Sequence, residues 1–519
     1  MDTEVIVVGA GPTGLMLACE LRLAGVRPLL LERQAARRDT PKAGGIGGQV
    51  LELLRHRGLL ERFEAACPGP APAPKFPFGG IHLDLTELAD PPLRALPLPQ
   101  QRLEELLEER AAELGVEIRR GHRVTGIHQD GRRAGAEVLG PDGPYRVDAA
   151  YLVGCDGARS PVRDAAGIAF PGTAYPEVNR LAQVTLADTV TLHGNGDLDV
   201  PGLGTVRSGF TRTERGLLGV GAPPGSPVVS LYTAEEEDAE YDDDTPMTAA
   251  ELQDSLRRVL GAGIPVRETV RLSRFTFKAR HAEQYRKGRI LLAGDAAHLF
   301  PATGTAINAG MLDAANLAWK LAADLHGRAP GGLLDSYQDE RRSANARTML
   351  HARAQVALRR GTDPAAEALR ELLQELLTDE QPLRRTAALV AGADVRHPVP
   401  EPSGHHPMAG AFLPGPAGYG EAAAGPDGLL AAARPVLLDL ADRADLRRAA
   451  AHWCSRVDVR TTAATAAGRT ADAVLVRPDG HVAWAAAVGE PADRAAPALR
   501  AALAHWFGAP DRARRPEHA

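Results

Sequence analysis

Aromatic residues make up only 4% of this chain, lysine only five of its 60 basic residues, and cysteine only four positions. Cys19, Cys67, Cys155 and Cys454 lie far apart and form no C-x-x-C pair, which argues against a disulfide framework and against a zinc site of the usual spacing. A reducing cytoplasm is the expected setting. No run of 18 uninterrupted apolar residues occurs, and the opening MDTEVIVVGAGPTG has no basic n-region, so neither a membrane span nor a signal peptide is expected. Neither sign of charge dominates: 60 basic against 66 acidic residues leave a net charge of -6, and no basic surface for nucleic acid follows. At 519 residues the chain is long enough for two to four domains.

What is present starts at the N-terminus. Glu4 to Val8 is rich in valine and isoleucine; Gly9-Ala10-Gly11-Pro12-Thr13-Gly14 and a helical pattern from Leu15 to Ala24 follow, ended by Gly25. This order predicts strand, tight turn and helix, an arrangement that presents free N–H groups to a pyrophosphate. Gly9 permits the turn, Gly11 the close approach of backbone to phosphate, and Gly14 the packing of helix on strand. A second strand, Arg27 to Leu31, leads to Glu32, 18 residues after the third glycine, where a carboxylate accepts from adenosine ribose hydroxyls. FAD or NAD is therefore expected here rather than NADP, with Pro12, Thr13 and Arg33 flanking the same site.

Two later segments repeat the strand-and-turn theme. Tyr151 to Val153 leads into Gly154-Cys155-Asp156-Gly157-Ala158-Arg159-Ser160, which reads either as a capped surface turn or as a phosphate-holding rim. Arg289 to Leu292 leads into Gly294-Asp295-Ala296-Ala297-His298, then Pro301, Asn308-Ala309-Gly310 and a helix over Asp313 to Ala323. Asp295 suits a ribityl hydroxyl, and N–H groups after Asn308 suit negative charge at the N1 to C2 carbonyl edge of a flavin. His298 reads as structural or catalytic; no other side chain is identified as an acid or base.

Together these segments resemble the class A flavoprotein monooxygenases, which include p-hydroxybenzoate hydroxylase and the larger aromatic polyketide and rifampicin hydroxylases. The resemblance covers roughly residues 1 to 360. It implies an α/β fold with a Rossmann-like FAD-binding domain (residues 1–166 and 276–396) and a β-sheet substrate domain (167–275). It also implies reduction of FAD by NAD(P)H, oxygen activation on the flavin, and a small aromatic substrate. Gln100, in Pro99-Gln100-x-x-x-Glu104-x-x-Leu107, matches a family residue that contacts the flavin, and Val124 one beside the adenine. Two departures stand out. Gln49 replaces the usual phosphate-binding Arg three residues before Glu52, with Lys42 a candidate for the missing charge. The loop usually written P-x-G-G-Q-G-x-N runs here from Pro301 to Asn308 with one glycine and no Gln.

Between Gly167 and Phe277, short alternating runs such as Leu181 to Leu186, Gly204 to Phe210 and Leu217 to Gly221 predict an antiparallel sheet. The acidic stretch Glu235 to Asp244 reads as a solvated loop, without the spaced ligands of a metal site. Asp339 to Leu377 reads as two helices broken at Gly361-Thr362-Asp363-Pro364. After His397 a Pro-rich linker leads to strands and helices resembling the thioredoxin-like C-terminal domain of the larger hydroxylases (397–519). Without C-x-x-C it has no dithiol exchange, which leaves packing or dimer contact as its role.

The leading expectation is an FAD-dependent monooxygenase of a polycyclic aromatic or phenolic natural product, a monomer or homodimer, in antibiotic tailoring. A Baeyer-Villiger enzyme on the same fold and a non-catalytic flavin-binding protein are the alternatives. A flavin halogenase is disfavoured, because its W-x-W-x-I-P signature is missing.

Overall fold

The computed structural model describes residues 3–37, 43–67, 75–222, 226–237, 241, 245–301, 304–361, 363–401, 406–415, 428–462 and 469–511. Three sheets organise its α/β fold. The first has six strands in the order Arg286–Lys287, Ile290–Leu292, Tyr151–Gly154, Val5–Val8, Pro28–Glu32 and Glu117–Arg120. All neighbours are parallel except the first pair, an antiparallel hairpin. Val5–Val8, Tyr151–Gly154 and Ile290–Leu292 are buried at every position, which is why they read as unbroken apolar runs. The register aligns Val8 with Gly154 and Leu31, and Gly154 with Leu292, so the strand ends are level. Ligands of open parallel sheets bind just beyond such ends.

The helices Pro12–Leu23 and Ala306–Leu325 pack against each other, and the second is buried along most of its length. The second sheet is antiparallel, in the order Gly209–Thr213, Gly216–Gly221, Val228–Glu236, Gly172–Leu186, Val266–His281 and His298–Leu299. Its last strand comes directly after the Gly294–Ala296 turn, so the two sheets are joined at that point.

Two expectations are corrected here. The run Gly204 to Phe210 is not one strand: Gly204–Val206 and Gly209–Thr213 belong to different sheets, and Gly209 turns between them at φ 93°. The acidic stretch is not simply a solvated loop. Glu235 and Glu236 end a strand, and Glu235 is buried, accepting from Arg180, Arg258 and Ser255. Arg180, with no exposed surface, also donates to Glu237 and Glu251, so the like charges are gathered around a guanidinium. Residues 238–240 and 242–244 lie outside the described ones.

The two expected helices are Ser336–Arg360 and Pro364–Leu376, the second capped by Asp363, whose carboxylate accepts from Ala366 N. The C-terminal sheet has the order Asp458–Thr461, Val436–Asp439, Ala473–Val476 and Val482–Ala486, with helices Ala444–Ala450 and Ala492–Phe507. Its core gathers Trp453, Trp484 and Trp506 with Trp319 of the long helix. Beside it lies a buried polar lock: Arg477 donates to Glu340 at 2.7 and 2.8 Å and to Asp479, while Lys320 and Asn316 donate to Glu340. No described helix is long and apolar enough to cross a membrane.

Candidate active site

Backbone contact brings the three signature segments to one place. A Cβ on Gly9 would lie 2.4 Å from the Cys155 carbonyl oxygen and 3.0 Å from Asp156 Cα, so the first turn rests on the second segment. A Cβ on Gly14 would lie 1.9 Å from the Gly9 carbonyl oxygen, which excludes any larger residue where helix meets strand. Gly294 and Gly310 both close on Thr13, whose Oγ1 would sit 2.6 and 2.3 Å from their added Cβ atoms. Gly11 differs from all of these, because nothing lies within 4 Å of its Cβ position. The helix behind it has Pro12 in its first turn and no side-chain cap, so its N-terminal N–H groups face that open space.

Around this turn Glu32 accepts from Ala10 N and Gln34 N, both at 2.8 Å, which fixes its carboxylate at the strand end; Arg33 beside it is exposed. Bonds from Gly121 N to Gln34 O and His122 N to Glu32 O bring Val124 to the same edge. Asp156 accepts from Ser160 Oγ and Val162 N, and Gly157 comes next at φ 85°. Burial pushes the Asp156 carboxyl up, against those hydrogen bonds. Asp295 is exposed on the Gly294–Ala296 turn, Pro301 and Ala309 are buried, and Asn308 Oδ1 accepts from Gly47 N at 3.0 Å. Gln100 exchanges hydrogen bonds with Ala43 and donates to Glu104. Gln49 is buried at the start of its helix with Oε1 facing Gly392, and Lys42 lies outside the described residues.

Sequence reasoning missed the group that holds the turn. Asp313, fully buried on the long helix, accepts from Gly294 N at 3.0 Å and His298 Nε2 at 2.8 Å through Oδ2. Its Oδ1 accepts from Arg341 Nε at 2.7 Å and Asn345 Nδ2 at 3.0 Å. Burial alone would raise this carboxyl, but His298 and Arg341 outweigh it and hold it well below the usual carboxylate range. His298 is fully buried and stacks on Phe300 at 4.6 Å. The available signal was Arg341 and Asn345 four apart on one helix face, which only the fold connects to Asp313.

A cavity of about 340 Å³ is lined by Phe76, Phe210, Arg212, Gly304, Gln355 and Arg359 among others. Phe210 reaches it from the edge strand Gly209–Thr213 of the antiparallel sheet, Gly304 from the altered loop, and Gln355 and Arg359 from the helix Ser336–Arg360. Among the aromatics of this sheet, Phe210 lines the cavity, while Phe277 is buried and packs on Phe275.

Residues 2–352 match the family described as FAD binding domain, and residues 406–510 match aromatic-ring hydroxylase, C-terminal. The chain belongs to the class A FAD-dependent aromatic-ring hydroxylase family. It is an FAD-dependent oxidoreductase of that family. It is 41% identical over 517 residues to a 12-dehydrotetracycline 5-monooxygenase/anhydrotetracycline 6-monooxygenase of Streptomyces rimosus, covering 98% of this chain and 100% of the relative. A dialkyldecalin synthase of Streptomyces rugosporus is 39% identical over 521 residues, covering 98% and 99%. The solved anhydrotetracycline hydroxylase of Streptomyces rimosus superposes with a TM-score of 0.84 at 39% identity, covering 98% of this chain and 100% of that one.

Proposed function

We propose that this hydroxylase-family chain uses FAD, NAD(P)H and dioxygen to hydroxylate a polycyclic aromatic or phenolic natural product in antibiotic tailoring. The observation that carries the reading is the aromatic-walled cavity that Phe76, Phe210 and, from the loop after the third signature, Gly304 line. The open space over Gly11, the uncapped helix N-terminus and the carboxylate of Glu32 support FAD there, with pyrophosphate over Gly11 and ribose at Glu32. Gly9, Pro12, Thr13, Gly14, Asp156, Gly157, Gly294, Asp295, Asn308 and Ala309 would complete the cradle, and Arg33, Gln100 and Val124 its adenosine side and rim. The flavin, when bound, supplies electron transfer and oxygen activation. The protein orients the substrate and excludes water. His298, bonded to Asp313 and buried, positions the turn in this reading rather than meeting substrate.

In domain terms the parallel sheet and long helices (1–166 and 276–396) form a Rossmann-like FAD domain. Residues 167–275, which hold most of the antiparallel sheet, form the substrate domain, and residues 397–519 a thioredoxin-like domain. The strand Val266–His281 runs across the junction at 275, which supports rigid coupling of the first two units.

The test is turnover of polycyclic phenols under labelled dioxygen with NADPH or NADH. Product carrying one labelled oxygen is expected; product without label, or a flavin that neither nicotinamide reduces, would sink the monooxygenase reading. The likeness to a dialkyldecalin synthase and the altered Pro301 to Asn308 loop favour one second reading, a flavin kept without oxygen transfer, for which those are the expected results.

A further inference from the structure

One turn of the C-terminal unit reaches both helices that the proposed FAD site uses, and its role rests on FAD lying across Gly11 and Asn308. The turn is Arg477-Pro478-Asp479-Gly480, between the strands Ala473–Val476 and Val482–Ala486. It is braced from within: Gly480 N donates to Arg477 O at 3.0 Å, and Arg477 Nε donates to Asp479 Oδ1 at 3.1 Å. Pro478 O accepts from Arg57 Nη2 at 2.8 Å, and the same guanidinium donates to Glu20 at 2.5 and 2.8 Å and to Leu430 O at 2.8 Å. Glu20 lies on the helix Pro12–Leu23, whose N-terminus opens at Gly11. Asp479 Oδ2 accepts at 2.8 Å from Asn316 Nδ2, on the helix Ala306–Leu325 that carries Asn308 in its first turn. Arg477 completes the set through Glu340, whose neighbour Arg341 donates to Asp313, the acceptor of Gly294 N.

All of these side chains are buried, so the contacts are short, directional hydrogen bonds that fix position rather than surface pairs that water would loosen. A dinucleotide that spans two helices binds best when their spacing is set beforehand, because capture then leaves nothing in the protein to be ordered. We infer that the turn Arg477-Pro478-Asp479 is a clamp. Through Arg57 on one side and Asn316 and Glu340 on the other, the C-terminal unit fixes the spacing of the two helices that FAD bridges, and so governs how tightly the dinucleotide is held. Arg57 and Asp479 are positioning residues in this scheme, since no protein atom comes within 4 Å of the Gly11 Cβ position and both act from the far ends of the helices' ties. A unit without C-x-x-C, and hence without dithiol exchange, thereby serves the flavin site mechanically.

The test measures binding of FAD, and of ADP in competition with it, to the full-length protein freed of flavin. FAD spans both helices, whereas ADP fills only the Gly11 and Glu32 end. Arg57→Lys keeps a charge beside Glu20 but not the fork that also reaches Pro478 and Leu430, and Asp479→Asn keeps the shape of the turn without its charge. In each, FAD is expected to bind about fivefold or more weaker while ADP binds as in the wild type. Trp453→Phe, which loosens the core of the same unit away from the turn, is expected to leave both affinities at wild-type values. Wild-type FAD affinity in either folded variant overturns the inference. Equal weakening of FAD and ADP overturns it too, as does an equal loss of FAD affinity in Trp453→Phe, since a loosened fold alone would do the same. All three results leave FAD at its proposed site, and should Asp479→Asn not fold, Arg57→Lys decides alone. If ADP does not compete with FAD on the wild type, the proposed site and the inference fall together.

Discussion

His298 and Asp313 meet at 2.8 Å with both side chains fully buried, and this contact joins the turn at Gly294 to the long helix. Asp313→Ala strips four donors of their acceptor: Gly294 N, His298, Arg341 and Asn345. A loss of about 3 to 5 kcal/mol is expected, as for other buried pairs robbed of one partner, together with loss of FAD. Chemical denaturation and flavin absorbance of the purified variant measure the two effects. The folded-state pKa of Asp313 is depressed, so its stabilisation is present above the unfolded value near 4 and is lost as pH falls below it.

Two glycines in the first turn are expected to fail differently. Gly14→Ala forces a methyl group against the Gly9 carbonyl and should destabilise the fold by about 1 to 3 kcal/mol or more. The Cβ of Gly11→Val meets no protein atom within 4 Å, so thermal stability of the apoprotein should stay near wild type while FAD affinity falls about tenfold or more. Equal FAD affinity in Gly11→Val and wild type would remove the pyrophosphate from this turn.

Acid should weaken the fold before its carboxylates titrate. Burial lowers His56, His281 and His351 to about 4, and it lowers His397 and His481, whose rings lie 3.9 Å apart. The unfolded chain therefore takes up these protons first. Stability is full above about pH 6.5 and falls as pH drops toward 4, by at most about 1.4 kcal/mol per pH unit for each histidine. Urea midpoints compared at about pH 7.5 and about pH 5 test this, and equal midpoints would contradict it.

The C-terminal unit should depend on the Glu340 lock. Glu340→Ala leaves Arg477 and Lys320 without their shared carboxylate, and a cost of about 3 to 5 kcal/mol is expected. Replacing Glu340 and Arg477 together by leucines should not recover that loss, because buried Lys320 then lacks its carboxylate and buried Asp479 its guanidinium. Unfolding free energies of the single and double variants decide the point.

Local signals carried far in this chain because its turns are local objects. Gly9 to Gly14, Asp363-Pro364 and the buried strands each declare themselves within a few residues, and each occupies the element expected of it. The acidic stretch misled, because its partner Arg180 lies more than fifty residues upstream on another strand and no spacing rule links them. Asp313, Arg212 and Arg359 were invisible as site residues for the same reason. Their meaning comes from strands and helices that only the folded chain brings together.

The level register of Tyr151–Gly154 with Ile290–Leu292 also bears on how the chain is born. During synthesis the edge of Tyr151–Gly154 emerges and then waits for its neighbour while all but the last strand of the antiparallel sheet is made, on the order of ten seconds at ordinary elongation rates. Through that interval the nascent parallel sheet has a bare apolar margin, the kind of surface that invites wrong pairing.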